Sequence, residues 1–115
     1  MSLTVQANAQ TTPNTTALMQ QANAGNPVAE YNLAGAYFHG KGGLPRDPAK
    51  AVYWFKKSAA QGYPRAEYSL GSSYYRGLGG LPRDPAKAVY WFKKSAAQGD
   101  PSDRKSTRLN SSHAD

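Results

Sequence analysis

The stretch GGLPRDPAKAVYWFKKSAAQG occupies Gly42–Gly62 and returns, letter for letter, at Gly79–Gly99. A catalytic centre needs one constellation of unlike groups, so a second copy of a segment adds little chemistry. A scaffold that stacks like units does need copies. The repetition also reaches beyond the identical stretch, at a constant offset of 37 residues. Gly25-Asn26-Pro27 aligns with Gly62-Tyr63-Pro64 and then with Gly99-Asp100-Pro101. Ala29, Glu30, Tyr31, Leu33, Tyr37 and Gly40 align with Ala66, Glu67, Tyr68, Leu70, Tyr74 and Gly77. A fixed period of about 20–50 residues is the signature of a repeat architecture.

Each unit reads as two helices. The first is expected from about Pro27 to His39 and again from Pro64 to Arg76. Proline suits the first helical position, where its missing N–H would have no partner in any case. Ala29, Leu33 and Tyr37 fall at i, i+4 and i+8, on one face, and Ala66, Leu70 and Tyr74 repeat that face. Gly40 and Gly77 supply the residue that can turn left-handed and stop the helix. The second helix begins at Asp47-Pro48 and at Asp84-Pro85. An aspartate there accepts a free N–H of the first turn and suits the helix dipole. Ala51, Trp54 and Ser58, with Phe55 beside them, make its expected packing face, and Ala88, Trp91, Ser95 and Phe92 repeat the set. Trp54 is expected to be buried between units. Gly62 and Gly99 close these helices. The duplicated stretch is a cap, a helix and a stop.

These residues resemble the Sel-one-like repeat, a subclass of the tetratricopeptide-like helical repeats. The resemblance rests on Leu70-Gly71-x-x-Tyr74-x-x-Gly77, followed by Asp84-x-x-Lys87-Ala88-x-x-Trp91-x-x-Lys94-x-Ala96-x-Gln98-Gly99. The first unit carries the same marks at Leu33, Tyr37, Gly40, Asp47, Lys50, Ala51, Trp54, Lys57, Ala59, Gln61 and Gly62. The two units depart from the family pattern in Ala34 for the usual glycine, in Ser58 and Ser95 for an alanine, and in one extra residue in the glycine-rich turn. The resemblance implies an all-α solenoid of antiparallel helix pairs, a tetratricopeptide-like superhelix whose first helices line a concave groove. It also implies binding of proteins or peptides, as in bacterial envelope and signalling adaptors.

The expected organisation is a leader over 1–16, a repeat region over 17–102 and a tail over 103–115. The repeat region divides into a half unit at 17–25 and full units at 26–62 and 63–99. The leader is polar and aperiodic, rich in Thr, Asn and Gln, and reads as disordered. Ala7-Asn8-Ala9 has the small-x-small form of a signal-peptidase site, without the apolar region that should precede it. A flexible leader of a cytoplasmic protein and the remnant of a secretory signal of a periplasmic or secreted one both stay open. In the tail the register breaks: DRKSTRLNSSH, at Asp103–His113, stands where a third first-helix should start. That string resembles one reading frame of a common sequencing-library adapter, which would make 103–115 a non-native tail.

The rest of the sequence gives little reason to expect catalysis. There is no cysteine, hence no disulfide or thiolate chemistry. His39 sits just before a helix-stopping glycine and has Arg76 as its counterpart, so a helix C-terminal cation is the expected role. Asp47 and Asp84, like Glu30 and Glu67, are copies placed on separate units rather than an acid/base pair. Gly40-Lys41-Gly42-Gly43 lacks the preceding strand of a phosphate loop. No enzyme activity, cofactor or metal is expected, and no apolar run is long enough to span a membrane. The net charge of +7 suits an acidic partner.

The expected function is a protein- or peptide-binding scaffold. Two alternatives stay open: a helical repeat that binds nucleic acid through the basic face of Lys56-Lys57 and Lys93-Lys94, or an accessory regulator of an envelope enzyme. The two copies themselves indicate where a partner would sit. They are identical over the second helix but differ in the first, at Val28/Arg65, Asn32/Ser69, Gly35/Ser72 and His39/Arg76. These positions step i, i+4, i+7 and i+11, one helical stripe distinct from that of Leu33 and Tyr37. Asn32, His39, Arg65, Ser69, Ser72 and Arg76 are therefore the expected partner-binding residues, with the arginines favouring an acidic group or a C-terminal carboxylate.

Overall fold

Proline opens each of the five helices of the described residues. A computed structural model describes residues 12–98, which form α1 (Pro13–Asn23), α2 (Pro27–His39), α3 (Pro48–Ala60), α4 (Pro64–Arg76) and α5 (Pro85–Gln98), with no strand among the described residues. The fold is all-α, as the resemblance implies. The helices pack in chain order, α1 on α2, α2 on α3, α3 on α4 and α4 on α5, the nearest-neighbour stacking of a solenoid. Among the described residues no helix is long and apolar enough to cross a membrane. The tail at 103–115, and Gly99 with it, lie outside the described residues, as does the Ala7–Ala9 triplet.

The helix ends follow the expected chemistry. Asp47 Oδ1 accepts the Lys50 N–H at 3.1 Å, and Asp84 does the same for Lys87. The amide of each cap also donates back to the previous helix, Asp47 to the Tyr37 carbonyl and Asp84 to that of Tyr74, both at 2.8 Å. The start of each second helix is thus tied to the end of the first. Gly40 (φ +69°) and Gly77 (φ +67°) adopt the left-handed conformation that ends α2 and α4.

The structure moves one boundary. Helix α1 starts at Pro13, inside the segment 1–16 that composition assigned to a disordered leader. Thr12 caps it, its hydroxyl accepting the Thr15 N–H at 3.1 Å, while the Thr12 N–H donates to the Gly42 carbonyl at 3.2 Å. Thr15 is buried beside Gly42, where the absent side chain makes room for it. A Thr-rich run reads as featureless by composition, yet threonine is a good cap and a small packing residue.

One continuous apolar cluster runs through the stack: Ala29, Leu33 and Tyr37 of α2, Ala51, Val52, Phe55 and Ala59 of α3, Ala66, Leu70 and Tyr74 of α4, and Ala88 of α5. Four alanines, Ala29, Ala51, Ala66 and Ala88, are almost fully enclosed and let the helix axes approach closely. Trp54 differs from expectation. It is half-buried, and the enclosed aromatic of α3 is Phe55. Trp54 lies edge-on to exposed Tyr53 at 5.1 Å, under the Lys57 ammonium, so part of the indole faces solvent.

Candidate interaction groove

Polar bonds hold the two helices of each unit at a set spacing. The Ser58 hydroxyl donates to the Pro27 carbonyl at 2.7 Å, and Ser95 repeats the bond to Pro64 at 2.8 Å. Gln61 Nε2 donates to Glu30 Oε1 at 2.7 Å and to the Gly25 carbonyl at 2.9 Å. Gln98 Nε2 bonds both carboxylate oxygens of Glu67. Glu30 and Glu67 are enclosed, at 1% and 0% exposure. These serines and glutamates were set aside in the sequence as departures or copies. Their recurrence in both units, with a matching glutamine near the end of the unit, was the available signal.

Spaced in this way, α2 and α4 stand side by side across α3 and enclose a cavity of about 460 Å³. Tyr31, Asn32, Gly35 and His39 form the wall from α2. Tyr68, Ser69, Ser72 and Arg76 form the wall from α4, and Phe55 reaches it from α3. The expected stripe is thereby brought together at Asn32, Ser69, Ser72, His39 and Arg76. Arg65 is exposed at the start of α4 and does not line the cavity. Sequence reasoning missed Tyr31 and Tyr68, identical in the two copies and hence silent in a comparison of differences. It also missed Lys41, which lines the cavity beside His39 and has Leu78 as its counterpart.

The two walls use the same repeat positions. Tyr31/Tyr68, Asn32/Ser69, Gly35/Ser72, Ala36/Ser73, His39/Arg76 and Lys41/Leu78 all line the cavity from both units. Five of these six pairs differ in side chain, whereas the 21 residues of Gly42–Gly62 do not change. The second helix is constant, and most of the paired groove positions vary.

Among the described residues, most cations outside the groove are already engaged. Lys50 lies over Tyr37, Lys57 over Tyr53 and Trp54, and Arg46 over Phe38, each with its repeat partner at Lys87, Lys94 and Arg83. Arg46 Nε also donates to the Phe38 carbonyl at 3.2 Å and Arg83 Nε to that of Tyr75 at 3.1 Å. Much of the positive charge therefore rests on the stack's own aromatic rings. Among the described residues no cluster of three His, Asp or Glu side chains comes together as a metal site would need.

Comparison with known proteins agrees with this construction. The Sel1 repeat model matches residues 27–63 and again 64–100. A Sel1 repeat protein from Oxalobacter formigenes has a crystal structure that superposes with a TM-score of 0.71 at 36% identity, over 74% of this chain and 63% of that one. A protective antigen of uropathogenic Escherichia coli with an SLR fold gives a TM-score of 0.49 at 29% identity, over 83% of this chain and 28% of that one. The ERAD-associated E3 ubiquitin-protein ligase component HRD3B of Arabidopsis thaliana is 49% identical over 41 residues, 36% of this chain. The chain spans 7% of that protein's length and less than two thirds of the Oxalobacter chain. Proteins of this repeat class act as protein-interaction scaffolds, generally without catalysis. With consecutive repeat matches over more than half of its length, the chain belongs to the Sel1 repeat family.

Proposed function

We propose that this chain is a non-catalytic scaffold that holds a protein or peptide partner in the groove between α2 and α4. Asn32, His39, Ser69, Ser72 and Arg76 make the contacts, and Arg65 lies outside the contact surface. One observation carries this reading: five of the six repeat positions that line the cavity from both units differ between the units, whereas the second helix is copied without change.

Gly35 provides the test. A Cβ built at this position meets nothing within 4 Å. The position is open toward the cavity, so Gly35→Phe should fill it, and phenylalanine, although a poorer helix former than alanine, still exceeds glycine. Partner binding should be lost with the thermal midpoint unchanged or raised. Lys56→Ala with Lys93→Ala, on the second helices, should leave binding intact. Binding that survives Gly35→Phe and fails in the lysine pair would place the partner on the opposite face.

A further inference from the structure

The groove has a charged pole. His39 and Arg76 occupy the last turns of α2 and α4, and Lys41 follows two residues after α2. All three line the cavity. The stretch toward the helix starts is lined by Tyr31, Asn32, Tyr68 and Ser69, which carry no charge. No Asp or Glu lines the cavity at all. The four carboxylates of the described residues are engaged elsewhere, Asp47 and Asp84 as helix caps, Glu30 and Glu67 on Gln61 and Gln98.

The cations at this pole differ from the others. Eleven lysines and arginines stand among the described residues, and six of them lie over an aromatic ring. Lys41 and Arg76 belong to the five that have no partner among the described residues. A basic residue in a last helical turn offsets the helix dipole, which accounts for one cation per helix end. It does not account for Lys41, which stands beyond the helix and lines the same cavity as the other two. The neutral walls carry uncommitted groups as well: the side chains of Asn32, Ser69 and Ser72 make no hydrogen bond among the described residues. Side-chain amides and hydroxyls placed along a groove suit an extended segment, whose main-chain N–H and C=O groups are unpaired; in a helix those groups bond to each other.

We infer that the groove takes an extended segment of a partner protein bearing clustered Asp or Glu side chains at the His39–Lys41–Arg76 pole and aromatic or aliphatic side chains against Tyr31, Tyr68 and Phe55. The inference rests on the groove reading proposed above. Lys41 and Arg76, which line the same cavity, together match more than one negative charge, so acidic side chains are the ligand rather than a single chain-terminal carboxylate. Arg76 supplies the planar fork that pairs with a carboxylate, Lys41 a point charge beside it.

The test selects dodecapeptides from a displayed random library, flanked by constant sequence at both ends, on the 115-residue chain. Binders blocked by Gly35→Phe are resynthesised. They should share an acidic cluster next to apolar residues. Replacing their Asp and Glu by Asn and Gln should weaken binding tenfold or more, and amidating the C-terminus should change nothing. Lys41→Ala with Arg76→Ala should cost a similar factor for the acidic peptides and remove the preference over their neutral versions, at unchanged helicity. Lys56→Ala with Lys93→Ala should preserve the preference. Groove-dependent binders without acidic residues, or loss on amidation alone, would overturn the inference and leave the groove reading standing. A library with no binder blocked by Gly35→Phe would overturn both. Binding of single-stranded oligouridylate that competes with the peptides and is lost steeply with salt would replace the acidic peptide with nucleic acid.

Discussion

Gln61 Nε2 stands 2.7 Å from Glu30 Oε1, joining the end of the unit's second helix to the first turn of its first. Glu30 is 1% exposed, so this donor supports a carboxylate that water scarcely reaches. Removing the donor strands a buried acceptor, at about 1–3 kcal/mol. Gln61→Ala should cost that much in urea unfolding. Glu30→Gln should cost less, because the new side chain keeps an acceptor oxygen. A cycle combining Gln61→Ala with Glu30→Ala should show coupling of at least ~0.5 kcal/mol. Purely additive costs would mean that the bond contributes nothing.

The identical stretches provide an internal control on packing. Val52 is covered by its surroundings at 5% exposure, while Val89, in the same local sequence, is 49% exposed. Val52→Ala should therefore destabilise by about 2 kcal/mol. Val89→Ala should stay within about 0.5 kcal/mol, as exposed substitutions do. Equal costs would show that α5 is as fully covered as α3.

Phe55 and Trp54 should also separate. Phe55 is buried and lies 5.9 Å from the Tyr31 ring. Phe55→Ala should cost roughly 3–5 kcal/mol. Trp54→Ala should cost measurably less, since its indole is only half-buried. The reverse order in thermal or urea denaturation would restore the tryptophan to the inter-unit core.

Gly79 seats the second unit on the first. Its φ is +61°, and a Cβ there would fall 2.5 Å from both the Pro48 carbonyl oxygen and Val52 Cγ2. Gly80 also has positive φ (+84°) but meets nothing within 4 Å. Gly80→Ala should show only the strain of a left-handed alanine, about 1 kcal/mol. Gly79→Ala adds a clash with backbone and should cost at least ~2 kcal/mol, read as a lower denaturation midpoint. Similar losses at both positions would mean that the close approach to Pro48 is absent.

What could be read in the sequence was local. Asp47, Pro48, Gly40 and their copies act within one turn, so their chemistry marked the helix ends before any packing was known. The period supplied the stack, because like units bury like faces on their neighbours. Side-chain roles that depend on the angle between helices could not be read this way. Trp54 and Phe55 are adjacent, about a quarter turn apart on the helix, and only the seating of α3 decides which is enclosed. Ser58 looked like a stray substitution until Pro27, 31 residues earlier, stood across from its hydroxyl. In the groove, comparing copies pointed to the lining residues Asn32, His39, Ser69, Ser72 and Arg76, because variation there is visible. Tyr31 and Tyr68 were hidden by being the same, and Arg65 shared the stripe without sharing the cavity.

On the proposed reading, variation between units marks the binding face while the duplicated helix only supports it. Amide chemical-shift mapping of the 115-residue chain against a selected peptide tests it most directly. The claim predicts perturbations along Tyr31–Lys41 and Tyr68–Leu78, with the outward residues Tyr53, Lys56, Tyr90 and Lys93 unmoved. Perturbations confined to those four residues, with α2 and α4 silent, would contradict it.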